Sequence, residues 1–102
     1  MLRRRSRFAE LVDRQLRLFA EDETELIAEA QAAETRWRRS GRDGAEDAYG
    51  DWQLAADAIA DRLLDLREAY AATLAEDAAD DYRASFTRAV RRRFPEAAGL
   101  LE

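Results

Sequence analysis

Apolar side chains recur at alternating steps of three and four residues along two long segments of this chain. In the second segment these positions are Ala45, Tyr49, Trp52, Ala56, Ile59, Leu63, Leu66, Tyr70 and Thr73. In the first they are Val12, Leu16, Phe19, Leu26, Ala30, Ala33 and Trp37, with Glu23 in the same sector. This spacing is typical of helices that pack along a coiled-coil-like seam. Because no segment shows the two-residue alternation of β-strands, the pattern predicts an all-α protein.

Turn-forming residues predict where the helices end. The segment SGRDG at 40–44, the segment AED at 75–77 and the single proline, Pro95, interrupt the apolar pattern. The chain, taken as one domain over 1–102, then consists of a basic N-terminal arm at 1–7, helices at about 6–39, 44–74 and 78–94, and a short C-terminal tail at 95–102. The segment DETE at 22–25 is also compatible with a new helix start. Since it holds neither glycine nor proline, we expect the first helix to continue through it.

The two long stripes are joined by a short turn, which predicts an antiparallel helical hairpin with Trp37 and Trp52 near the turn. The third helix is shorter and reaches along only part of such a hairpin. We therefore expect a three-helix-bundle-like fold in which the half near the turn is left thinly covered. Either the tail, with Leu100 and Leu101, or a second copy of the chain completes that half, and we favour a dimer.

Two charged residues fall in otherwise apolar sectors of the first two helices. These are Glu23 and Arg67. We expect them to form an ion pair that fixes the register of the hairpin, because buried charges need partners.

Composition narrows the chemistry that is open to the chain. It has 102 residues, a formal net charge of -5, no cysteine and no histidine, so disulfides, thiol nucleophiles and histidine ligands are excluded. All 17 basic residues are arginine, which together with abundant alanine is typical of a bacterial protein from a GC-rich genome. The basic start MLRRRSRF is followed by AELVDRQLRLFAEDE, which lacks the apolar stretch of an export signal. We therefore expect a cytoplasmic protein without a membrane span.

Candidate functional residues fall into two groups. Large apolar side chains and a glycine near the turn form a candidate protein interface made of Ile27, Trp37, Tyr49, Gly50, Trp52 and Leu54. Arginines near both ends of the chain are weaker candidates for phosphate binding, namely Arg3, Arg4, Arg5, Arg7, Arg91, Arg92 and Arg93. The charge of -5 and the lack of base-stacking aromatics among these arginines make nucleic-acid binding the less favoured alternative.

No residue pattern indicates a catalytic, metal or cofactor site. The sequence therefore predicts a non-enzymatic helical module for self-association or scaffolding, forming a homodimer with other protein partners possible. Two alternatives stay open: an arginine-dependent nucleic-acid-binding protein, and a helical protein that binds a small molecule or cofactor at the Trp/Tyr region near the turn.

Overall fold

A computed structural model describes residues 7–101, and over that range the chain forms only α-helices and the turns between them. The all-helical prediction is therefore confirmed. The helices are α1 (Ala9–Asp22), α2 (Thr24–Arg39), α3 (Ala45–Ala71), α4 (Glu76–Arg93) and α5 (Pro95–Ala98). Within these residues no helix has the combination of length and apolarity that crossing a bilayer requires.

The predicted first helix is interrupted at Glu23, so the expectation of continuity through 22–25 is wrong. Glu23 has φ -107° and ψ 30°, outside the helical region, and it separates α1 from α2. The Thr24 hydroxyl lies 2.8 Å from the carbonyl oxygen of Glu21 and 3.1 Å from that of Ala20. A threonine hydroxyl that bonds back to the preceding turn favours a bend in the helix. The bend lets α1 leave the line of α2.

The fourth helix supplies the surface against which α1 packs on its side of the bend. α4 packs against both α1 and α3, whereas α1 touches α2 only around the bend. The largest fully buried side chains come from α1, α3 and α4, and they are Val12, Leu16, Ile59, Leu63, Tyr82, Phe86 and Val90. Burial of these apolar groups is the main source of stability at this size.

The C-terminal tail also enters the core. Pro95 begins α5, and Phe94, which lies between α4 and α5 with non-helical backbone angles, packs edge-on against Phe19 with ring centroids 5.6 Å apart. Ala97 and Leu101 are buried, and α5 packs on α3 and α4. The tail therefore packs on the main core and does not cover the turn between α2 and α3.

The α2–α3 pair extends beyond this core. The two helices run antiparallel, and among the helices of residues 7–101 α2 touches only α3 and, at the bend, α1. Three buried alanines, Ala33, Ala48 and Ala56, lie outside the main core cluster. We call residues 33–56 the distal arm. The radius of gyration of 15.8 Å exceeds the roughly 13 Å of a compact chain of this length, as a projecting arm requires.

Candidate interaction site

Three aromatic side chains close the distal arm near its turn. Trp37 comes from the end of α2, and Tyr49 and Trp52 come from the start of α3. The two tryptophan rings stack with centroids 5.2 Å apart and planes 16° apart. Tyr49 lies 5.1 Å from Trp37 and 5.7 Å from Trp52, measured between centroids. The three rings thus contact one another and fill the space between the two helices. We call them the aromatic tip.

The aromatic tip is only partly shielded from solvent. Both tryptophans are half-buried and Tyr49 keeps 41% of its surface exposed. The indole N–H of Trp52 is buried and meets no hydrogen-bond acceptor among residues 7–101. A buried donor without an acceptor costs about 1–3 kcal/mol, so the tip carries an unmet polar requirement.

The predicted interface residues do not form one continuous patch. Tyr49 and Leu54 lie five positions apart in sequence, which places them about 140° apart around α3. Ile27 is half-buried and packs against the main core. Leu54 is the most exposed large apolar side chain of the described residues, at 70%. The candidate interface therefore divides into the aromatic tip and a separate surface around Leu54.

Gly50 lies one turn before Leu54 on α3. A Cβ atom built on Gly50 would meet nothing within 4 Å. Nothing in the described chain therefore requires a glycine there, although glycine costs about 1 kcal/mol relative to alanine inside a helix. Gly50 is either tolerated in a helix that its neighbours hold or left small for the close approach of another chain, and both interpretations stay predictions.

The predicted ion pair between Glu23 and Arg67 is wrong in its partner. Glu23 lies at the bend and forms an ion pair with Arg62, which precedes Arg67 by five residues on α3. Arg67 instead lies on the side of α3 that faces α4 and the tail. Its Nη1 donates to Thr87 Oγ1 at 3.0 Å and to the Leu101 carbonyl at 3.4 Å.

Arg67 also belongs to a charged cluster that the sequence pattern did not indicate. Its Nε donates to Glu68 Oε2 at 2.9 Å, and Arg83 Nε donates to both oxygens of the same carboxylate at 3.1 Å. The hydrogen bond from Arg83 is the main reason why the pKa of Glu68 lies below its usual value. Desolvation opposes this effect, and the hydrogen bond from Arg67 adds to it. The bond between Arg83 and Glu68 also raises the pKa of Arg83. The cluster joins α3 to α4, because Arg83 is on α4 and Glu68 is on α3. Since Glu68 is half exposed, this contact contributes little to stability.

The phosphate-binding candidates do not come together in one described site. Arg3, Arg4 and Arg5 lie outside the described residues. The Arg7 guanidinium lies 4.9 Å from the ring centroid of Phe8, and Arg91, Arg92 and Arg93 form the last turn of α4. Cations at a helix C-terminus are favoured by the helix dipole, which gives the second group a structural reason to be basic.

Carboxylates are abundant on the surface but are dispersed. Within residues 7–101, no three carboxylate, histidine or cysteine side chains are grouped so that they could hold a metal ion.

Comparisons with protein-family models, with curated proteins and with solved structures find no match to this chain.

Proposed function

We propose that this protein is a non-enzymatic helical module for self-association or scaffolding, and that its distal arm is the contact element. The observation that carries the proposal is the arm itself: two helices that project beyond the main core and end in half-buried aromatic rings. Paired helices of this kind usually bury their remaining apolar surface against further helices. A dimer that joins two arms supplies these further helices.

Exposed apolar surface on the arm supports the same proposal. Leu54 is 70% exposed and Tyr49 is 41% exposed. The arginine-only basic residues and abundant alanine favour a bacterial protein, and we place it in the cytoplasm, where another protein partner is possible besides a second copy. We place the role in protein binding because the aromatic rings stack on one another and their faces are already in use.

The test is the molar mass in solution, measured by light scattering over a wide range of concentrations. The wild-type chain is expected to have the mass of two chains at micromolar concentration. Leu54→Arg is expected to give monomers with unchanged helical circular dichroism, because Leu54 has little contact within its own chain. Leu18→Arg is the matched control, since Leu18 is 48% exposed but lies on α1, away from the arm. A wild-type chain that stays monomeric at high micromolar concentration would falsify the proposal.

A further inference from the structure

A groove between α2 and α3 runs along one side of the distal arm and continues toward the main core. It encloses about 490 Å³. α2 lines it with Leu26, Glu29, Ala33 and Arg36, and α3 lines it with Asp51, Leu54, Ala55 and Ala58. Ala33 and Ala55 are buried, so the floor is made of small side chains, while Leu54 stands at the rim with most of its surface in solvent. The face therefore has both a recess lined by alanines and a large apolar side chain beside it.

The two walls of the groove carry opposite charges near the tip. Arg36 is on the α2 wall and Asp51 is on the α3 wall, and the same two residues also line the neighbouring recess at the turn. They therefore lie at about the same level along the arm. Neither residue forms an ion pair within residues 7–101: the Arg36 guanidinium and the Asp51 carboxylate are both exposed.

This charge arrangement is complementary to itself. If a second arm faces the first after rotation about a two-fold axis parallel to the arm, each α2 lies opposite the α3 of the other subunit at an unchanged level. Arg36 then faces Asp51 of the partner subunit, and the contact occurs twice because the interface is isologous. Rotation about an axis across the arm would instead bring α2 against α2 and would not pair these charges.

The apolar groups fit the same arrangement. In an antiparallel helix pair, moving three residues back from Arg36 and three forward from Asp51 reaches Ala33 and Leu54 at one level. Leu54 therefore faces Ala33 of the partner subunit, where a small side chain leaves room for a large one. Gly50 has open space around it and lies one turn away on α3. Its missing side chain allows the partner's backbone to approach.

We propose that the groove beside Leu54 is the docking site for a second copy of this chain, with the arms parallel, Arg36 paired with Asp51 of the partner subunit, and Leu54 inserted beside the partner's Ala33. This inference rests on the proposed self-association and adds its partner, symmetry and register.

Two charge reversals on separate chains test the register. Arg36→Asp gives a chain with carboxylates at both positions, and Asp51→Arg gives a chain with guanidinium groups at both. Each variant alone places like charges together at two points of the dimer, so each is expected to weaken dimerisation about tenfold or more. An equimolar mixture restores both opposite-charge contacts in a heterodimer. Light scattering and native mass spectrometry of the mixture are expected to show a dimer of one chain of each kind.

The control is Arg38→Asp, which reverses a charge on α2 at a residue that pairs with Glu34 of its own helix. It is expected to dimerise as the wild type does. Circular dichroism checks that each variant is helical, and recovery of a dimer on mixing is itself proof that both variants are folded.

The outcomes separate this inference from the proposed function. If the wild type is a dimer but the single reversals dimerise equally well, or their mixture stays monomeric, the register is overturned and self-association stands. Assembly beyond two chains overturns the two-fold arrangement as well. If the wild type is monomeric at every concentration, the proposed function fails and the inference fails with it.

Discussion

Trp37 and Trp52 stack across the seam between α2 and α3, with ring planes 16° apart and centroids separated by 5.2 Å. The contact joins the end of one helix to the start of the next, so it closes the arm beyond the reach of α4 and the tail. The stability of the arm therefore depends on a few aromatic contacts and buried alanines, whereas the part of the fold around the main core, which we call the base, has a continuous core.

The tryptophan pair is expected to be coupled energetically. Trp37→Ala and Trp52→Ala should each lower the free energy of unfolding by about 2–4 kcal/mol, less than for fully buried rings. The double variant should lose about 1 kcal/mol less than the sum, because each single change already removes the stacking contact. Denaturant unfolding followed by circular dichroism measures the cycle. Trp37→Ala combined with Leu16→Ala in the base is the control and should be additive, and additivity in the tryptophan cycle itself would contradict the coupling.

A second cycle distinguishes the ion pair of the structure from the one that the sequence predicted. Glu23→Gln and Arg62→Gln should show a coupling of about 0.2–1 kcal/mol, because Glu23 and Arg62 pair at a partly exposed site. The coupling should shrink with added salt. Glu23→Gln combined with Arg67→Gln should show no coupling. Arg67→Gln alone should still be destabilising, because it removes the guanidinium that donates to Thr87 at a site with little access to water. Coupling between Glu23 and Arg67 would overturn the observed pairing.

The tail should contribute to stability through one of its two leucines. Leu101 is 6% exposed, so Leu101→Ala should cost about 2–3 kcal/mol in the free energy of unfolding. Leu100 is 50% exposed, so the matched change Leu100→Ala should stay within about 0.5 kcal/mol. Urea unfolding of both variants measures the difference. Equal losses would show that the tail is not docked on α3 and α4.

Tyr82 should make the fold sensitive to alkaline pH. Burial raises its pKa from 10.0 to about 12, and the opposing effect of its 2.8 Å hydrogen bond to Gln15 Oε1 is smaller. Since the folded state holds the proton more tightly than the unfolded state, this contribution to stability is complete below pH 10. It is lost as the pH rises from 10 through 12.

Urea unfolding at a series of pH values from 9 to about 12 tests this expectation. Tyr82→Phe removes the ionisable group and should flatten the decline above pH 10, at the cost of the bond to Gln15. A decline of equal size in the variant would assign the alkaline loss to other groups.

The sequence pattern was informative about local structure for a physical reason. The spacing of apolar residues and the turn residues around Gly41 and Gly44 act within a few positions of the chain, so they predict helices and the turn directly. The aromatic tip follows from the same information, because a short turn brings residues at the two facing helix ends together.

The rotation and register of the helices were harder to predict from the sequence. The five-residue spacing of Tyr49 and Leu54 already separates them around α3, but it does not fix which neighbouring helix each side of α3 meets. The spacing predicts Arg67 in the seam between the first two helices, whereas in the structure it bonds to Thr87 and the Leu101 carbonyl. Helical spacing alone leaves such positions open because a stripe of three-and-four steps tolerates several rotations and registers.

The sequence by itself determined that this chain is all-helical, where its main turn lies and that Trp37 and Trp52 lie close to that turn. Only the tertiary structure decided that the first helix bends at Glu23, that Arg62 is the partner of Glu23 and that the tail is buried in the base. The bend has only a weak local signal, the segment DETE with Thr24, since it contains neither glycine nor proline, and the other two features depend on residues far apart in sequence. The bend arises because α4 and Phe94 offer buried apolar contacts that α1 reaches only by leaving the line of α2.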